Sequence, residues 1–120
     1  MTNERSEKIA KLNDQLRSKI GYPFNSLIDT NDQFVLTQGI IDSFNDGEIK
    51  TIFHDIKTFD NFNEGNDPYQ ERDFGSLTAK GRNIFWKIDY YDNDLKYHSS
   101  DNTDPKQTKR VLTIMLSSEY

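Results

Sequence analysis

Ile9, Leu12, Leu16 and Ile20 recur at helical spacing, with Lys and Arg between them. This pattern predicts an amphipathic helix over 4–20. Gly21 and Pro23 mark its end, and a polar connector, 21–32, follows with an Asn31-Asp32 pair suited to a turn. Gln33 to Thr37 (QFVLT) reads as a short strand that Gly39 breaks. The clearest helix comes next. Ile49, Ile52, Phe53, Ile56 and Phe59 form one apolar stripe, Asn45 or Asp46 can cap its start, and Glu48 sits in the first turn. His54 flanks the stripe and reads as a surface or boundary residue.

Residues 60–69 (DNFNEGNDPY) are rich in turn formers and predict a loop. A hairpin is expected over Gln70–Asp92. Reading Thr78 to Arg82 as a three-residue turn, with Gly81 left-handed, sets Phe74 opposite Trp86, Asp73 opposite Lys87 and Glu71 opposite Asp89. A two-residue loop would instead place Asp73 against Ile88. In the first register Ile84, Trp86, Ile88 and Phe74 share the face toward the helices. Glu71, Asp73, Lys87, Asp89, Phe85 and Tyr91 fall on the other. A long polar connector, 92–109, contains His98 and Pro105; connectors of that length are often functional or disordered. The last strand, Lys109 to Ser117, has apolar residues on both faces, as an interior strand requires.

The expected architecture is therefore α+β. It is a single small domain over 1–120, with 1–3 a disordered N-terminus. A mainly antiparallel sheet of about four strands carries two helices on one face. The 120 residues and 15 aromatic side chains suffice for one core. With no cysteine, disulfides and thiolate metal sites are excluded, and a cytoplasmic location fits. No apolar run approaches a membrane span, and the N-terminus does not read as a secretory signal.

Net charge is -5, and Asp60 to Asp104 alone holds ten acids and five bases. Without a basic face, direct binding of duplex nucleic acid is not expected. An acidic face instead suits a basic protein partner. Tyr69, Tyr90, Tyr91 and Tyr97, with Phe62, surround the acidic segment, and tyrosines beside a polar rim are common at interfaces. The expected binding residues are Tyr69, Lys87, Tyr91, Asp92, Asp94, Tyr97 and Asp101. A second reading is a small metal-dependent hydrolase of phosphoesters. In it Asp67, Glu71, Asp73 and Asp89 hold Mg²⁺ or Mn²⁺, and Lys87 positions an anion. The binding reading needs no cofactor. Nucleophile-elbow, P-loop, dinucleotide and HExxH motifs are all missing. No feature points to a particular oligomeric state.

Three blocks carry a resemblance: NDPYQERDFG (66–75), FWKIDYYD (85–92) and RVLTIMLSSEY (110–120). From Asn13 onward the chain resembles a bacterial family known as domain of unknown function 3768. The family typically has His where Arg72 stands here. The resemblance implies one domain in a bacterial or mobile-element setting and transfers no catalytic residue. Together these readings lead to an expected non-enzymatic cytoplasmic binding protein.

Overall fold

The computed structural model describes residues 4–21 and 32–120. Most of the connector expected at 21–32, including Pro23 and Asn31, and the N-terminal 1–3 lie outside the described residues. Helix α1 (Glu4–Ser18) leads, followed by β1 (Gln33–Leu36), a short α2 (Gln38–Ser43) and α3 (Asp46–Lys57). The hairpin β2 (Phe74–Ala79) and β3 (Arg82–Tyr91), then β4 (Lys109–Leu116) and a 3-10 turn (Ser117–Glu119), complete the chain.

The strands form one sheet in the order β1-β4-β3-β2. β4 runs antiparallel to β3 and parallel to β1, so the sheet is mixed but mainly antiparallel. The α+β architecture is as expected, with α2 as an additional third helix. Its formation has a visible cause. The Glu119 carboxylate accepts from Thr37 Oγ1 at 2.7 Å and from the Gly39 amide at 3.1 Å, meeting donors that a helix start leaves open. A Cβ at Gly39 would stand 2.4 Å from that carboxylate, so glycine permits the approach. Helix α3 is closed by a capping box in which the Asn45 side chain and the Glu48 amide meet at 2.9 Å, as do the Asn45 amide and the Glu48 side chain.

One apolar cluster joins Ile9, Leu16 and Ile20 to Ile52, Phe53 and Ile56, and to the inward face of the sheet at Ile84, Trp86, Ile88, Leu112 and Ile114. Among the described residues no helix is long and apolar enough to cross a membrane.

The hairpin register corrects the sequence expectation. Lys80 and Gly81 form a two-residue turn, both with positive φ (50° and 75°), the conformation that suits the twist of a tight hairpin. Ala79 faces Arg82, and the partner of Trp86 is Gly75 rather than Phe74. The deciding contact is steric. A Cβ on Gly75 would lie 2.3 Å from Trp86 Nε1 and 2.9 Å from Phe59. The indole thus lies over a residue with no side chain, packed edge-on against Phe59 and Phe62. Phe74 goes to the opposite face, where it meets Phe85 and Tyr120. Asp73 turns to the helix side, and its carbonyl accepts from the Ile88 amide at 2.8 Å. Glu71 and Asp89 therefore do not oppose each other.

This register predicts two stability changes. Gly75→Ala should cost about 1–3 kcal/mol by overpacking, and Trp86→Ala about 3–5 kcal/mol, both read by urea denaturation. A neutral Gly75→Ala would contradict the observed pairing.

Candidate functional site

Loops 58–73 and 92–108 leave the sheet at the same end, where β2 begins, β3 ends and β4 begins. Of the ten acids between Asp60 and Asp104, nine lie in these two loops. Of the five bases, Lys80 and Arg82 lie at the far turn. The topology thus separates the charges that the linear sequence mixes.

The first loop turns back through Asp67, whose Oδ1 accepts from the amides of Glu71 at 2.9 Å and Arg72 at 3.0 Å. That bend holds Gln70 and Arg72 in the left-handed region, φ 60° and 57°, a conformation costly for residues with a Cβ. Glu71 is set between them. Phe62 is packed inward, with the guanidiniums of Arg17 and Arg72 over its ring at 5.3 and 5.1 Å. Phe62 is therefore half-buried, packed against the core at the edge of the acidic loop.

Between this loop and α1 runs an open groove of about 1280 Å³. Glu7, Asp14, Glu64, Asp67 and Glu71 line it, against Arg5, Lys11 and Arg72. Arg72 reaches across to Asp14 at 3.2 Å, and Arg5 approaches Glu71 at 4.0 Å. Tyr69 stands on the groove, 76% exposed.

Behind Glu71 lies a buried polar network. Asn13 is fully buried; its Nδ2 donates to the Tyr90 hydroxyl at 2.8 Å and to the Glu71 carbonyl at 3.0 Å. Its Oδ1 accepts from Arg110 Nε at 2.9 Å. The Arg110 guanidinium also donates to the Asn102 carbonyl and lies 5.3 Å over the Tyr90 ring. The Tyr90 hydroxyl stands 3.2 Å from both Glu71 Oε1 and Asp73 Oδ2. Burial, then the neighbouring Glu71 charge, pushes the Asp73 carboxyl up to about 6. Burial and the Asp73 charge also raise the Tyr90 phenol, and burial lowers Arg110. Sequence reasoning missed Asn13, Arg17 and Arg110 because a hydrophobic pattern counts them as surface positions. The one available signal was position: Asn13 and Arg17 fall on the stripe of Ile9, Leu16 and Ile20.

The four candidate metal ligands do not converge. Asp67 is committed to backbone amides, and Glu71 and Asp73 meet at Tyr90. Asp89 pairs with Lys87 at 2.7 Å on the other face of the sheet. Lys87 therefore pairs along its own strand instead of crossing to Asp73. Among the described residues, no three His, Asp or Glu side chains come together as a metal site.

The expected binding residues divide in the same way. Tyr97 is 74% exposed and Asp94 is exposed, both at the loop end. Asp92 and Asp101 shape their own loop: Asp92 Oδ1 accepts from the Asp94 and Lys96 amides, and Asp101 Oδ1 from Thr103. Tyr91 and Lys87 lie on the open sheet face, and Tyr91 bridges to His98. Tyr90 is buried. The 92–108 connector is tied by its own hydrogen bonds. The Ser99 and Thr108 hydroxyls meet at 2.7 Å, and Thr108 Oγ1 donates to the Asp101 carbonyl at 2.7 Å.

The family profile described as protein of unknown function (DUF3768) matches residues 36–119. The chain belongs to this family. The match takes in β2, β3, β4, α2, α3 and both acidic loops, and of β1 only Leu36. It begins at residue 36 rather than near Asn13, so α1 lies outside it. The DUF3768 segment thus supplies Tyr90, Glu71, Asp73 and Arg110, while α1 supplies Asn13. No curated protein and no solved structure matched the chain.

The network predicts that Asn13→Ala should destabilise the fold by about 2–3 kcal/mol, because it leaves the buried Arg110 Nε without that acceptor and removes the donor shared by the Tyr90 hydroxyl and the Glu71 carbonyl. Chemical denaturation measures this. A loss near zero would show that Asn13 carries no such role.

Proposed function

We propose that this protein is a non-enzymatic, cytoplasmic binding module of a bacterium or its mobile elements. Its loop end contacts a protein partner bearing a basic surface. The observation that carries this reading is the gathering of nine acids into loops 58–73 and 92–108, with Tyr69 and Tyr97 standing out at that end. Exposed tyrosines give apolar contact area with a polar tip, and the acids give steering toward a basic partner. The groove between α1 and the first loop adds a concave surface of mixed charge with an acidic excess. Asp92 and Asp101 support this surface by fixing the loop backbone. The direct contacts fall to Tyr69, Tyr97, Asp94 and Glu64. The Lys87–Asp89 pair lies on the open sheet face, so Lys87 is no part of this contact. The cytoplasmic and bacterial setting draws support from the lack of cysteine and from the family resemblance.

A triple variant, Glu64→Lys, Tyr69→Ser, Asp94→Lys, tests the reading. These three side chains are exposed, so the fold should persist. Immobilised wild-type protein should retain a basic partner from native lysate at about 0.1 M salt and release it toward about 1 M, where screening is nearly complete. The variant should lose that partner. Identical retention by both proteins would refute the proposed surface.

A further inference from the structure

The Tyr90 hydroxyl has a single proton to donate. Asn13 already donates to the hydroxyl oxygen at 2.8 Å. Glu71 Oε1 and Asp73 Oδ2 both stand 3.2 Å from it. Two ionised carboxylates would therefore compete for one O–H in a setting where unmet charge is costly. We propose that Glu71 and Asp73 hold one additional proton between them at the Tyr90 hydroxyl, and that its loss to solvent releases Glu71 to present its full charge to the groove.

The surrounding groups favour this division of roles. From α1, Arg5 lies 4.0 Å from Glu71 Oε2, and the Arg5 side chain is over half exposed at the groove. From the loop, Asp67 adds negative charge near Asp73, while Arg72 is engaged by Asp14. From β4, Arg110 is held by Asn13 and the Asn102 carbonyl and lies over the Tyr90 ring. Asp32 accepts from the Arg110 backbone amide at 3.1 Å. From the connector, His98 stands edge-on to Tyr90 with centroids 6.2 Å apart. Among the described residues no cation pairs directly with Asp73, whereas Glu71 has Arg5 within reach. When the proton leaves, Asp73 keeps the Tyr90 O–H and Glu71 turns toward Arg5 and the groove. Resting on the acidic-surface reading, this makes the groove more attractive to a basic partner above the transition than below it.

The sign of the stability effect follows from the raised Asp73 carboxyl. Its folded value, about 6, lies above the ordinary 3.8, so the folded protein holds the proton more tightly than the unfolded chain does. The associated stability is complete below the unfolded value and is lost as pH rises through the folded one.

Carbon-13 NMR of the side-chain carboxyls in the full chain tests the proposal directly. The Asp73 carboxyl, held at the Tyr90 hydroxyl, should titrate near 6. Completion of the Asp73 titration below about pH 5 would overturn it. A second readout is the melting temperature between pH 5 and 7.5. The wild type should lose more across this range than Asp73→Asn, a neutral mimic of the protonated side chain. Equal losses would also overturn the proposal, and if the variant does not fold the wild-type titration decides. Neither measurement involves a partner, so their failure is separable from failure of the binding reading.

Discussion

A guanidinium inside a small protein must be met by acceptors or it will not remain there. Arg110 enters from β4 and is met by Asn13 Oδ1, the Asn102 carbonyl and the face of Tyr90. Each partner comes from a different stretch of chain: α1, the 92–108 connector and β3. Asn13 then passes the connection to Tyr90 and the Glu71 carbonyl, which anchors the loop that forms the groove. A single buried charge thereby sets the position of α1, both acidic loops and the groove between them. A second cation, one turn further along α1 from Asn13, performs a related task. Arg17 closes the C-terminal end of α3 by donating to the Ile56 and Phe59 carbonyls, each at 2.8 Å.

This dependence explains which parts of the molecule were legible in the sequence. The helical stripes of α1 and α3 and the alternation in β3 and β4 follow from apolar burial, which residue type reports directly. The hairpin register did not follow. Matching Phe74 with Trp86 satisfied polarity and size, but the indole needed an empty partner, and Gly75 supplies one. That requirement is three-dimensional, set by Phe59 and Phe62 folding back from the loop that leads into β2. The α2 helix was hidden for a similar reason, because its start is held by Glu119, some 80 residues later in the chain. The candidate site was half visible. Glu71 and Asp73 stood out as carboxylates, but their actual partners, Asn13 and Tyr90, look like a surface amide and an ordinary strand tyrosine.

The same chemistry links fold to proposed function. Acidic loops are retained at one end of the sheet because their backbones are tied by side-chain carboxylates at Asp67, Asp92 and Asp101. Those acids shape the surface, and the free ones between them give it charge. The DUF3768 segment carries nearly all of this apparatus, with α1 completing the groove from outside it.

The central claim is that Asn13 and Tyr90 act as one unit in joining α1 to the sheet. A double-mutant cycle with Asn13→Ala and Tyr90→Phe, read by urea denaturation, tests it most directly. Residues in one buried network should show a coupling energy of about 0.5 kcal/mol or more. Effects that add to within about 0.3 kcal/mol would contradict the account.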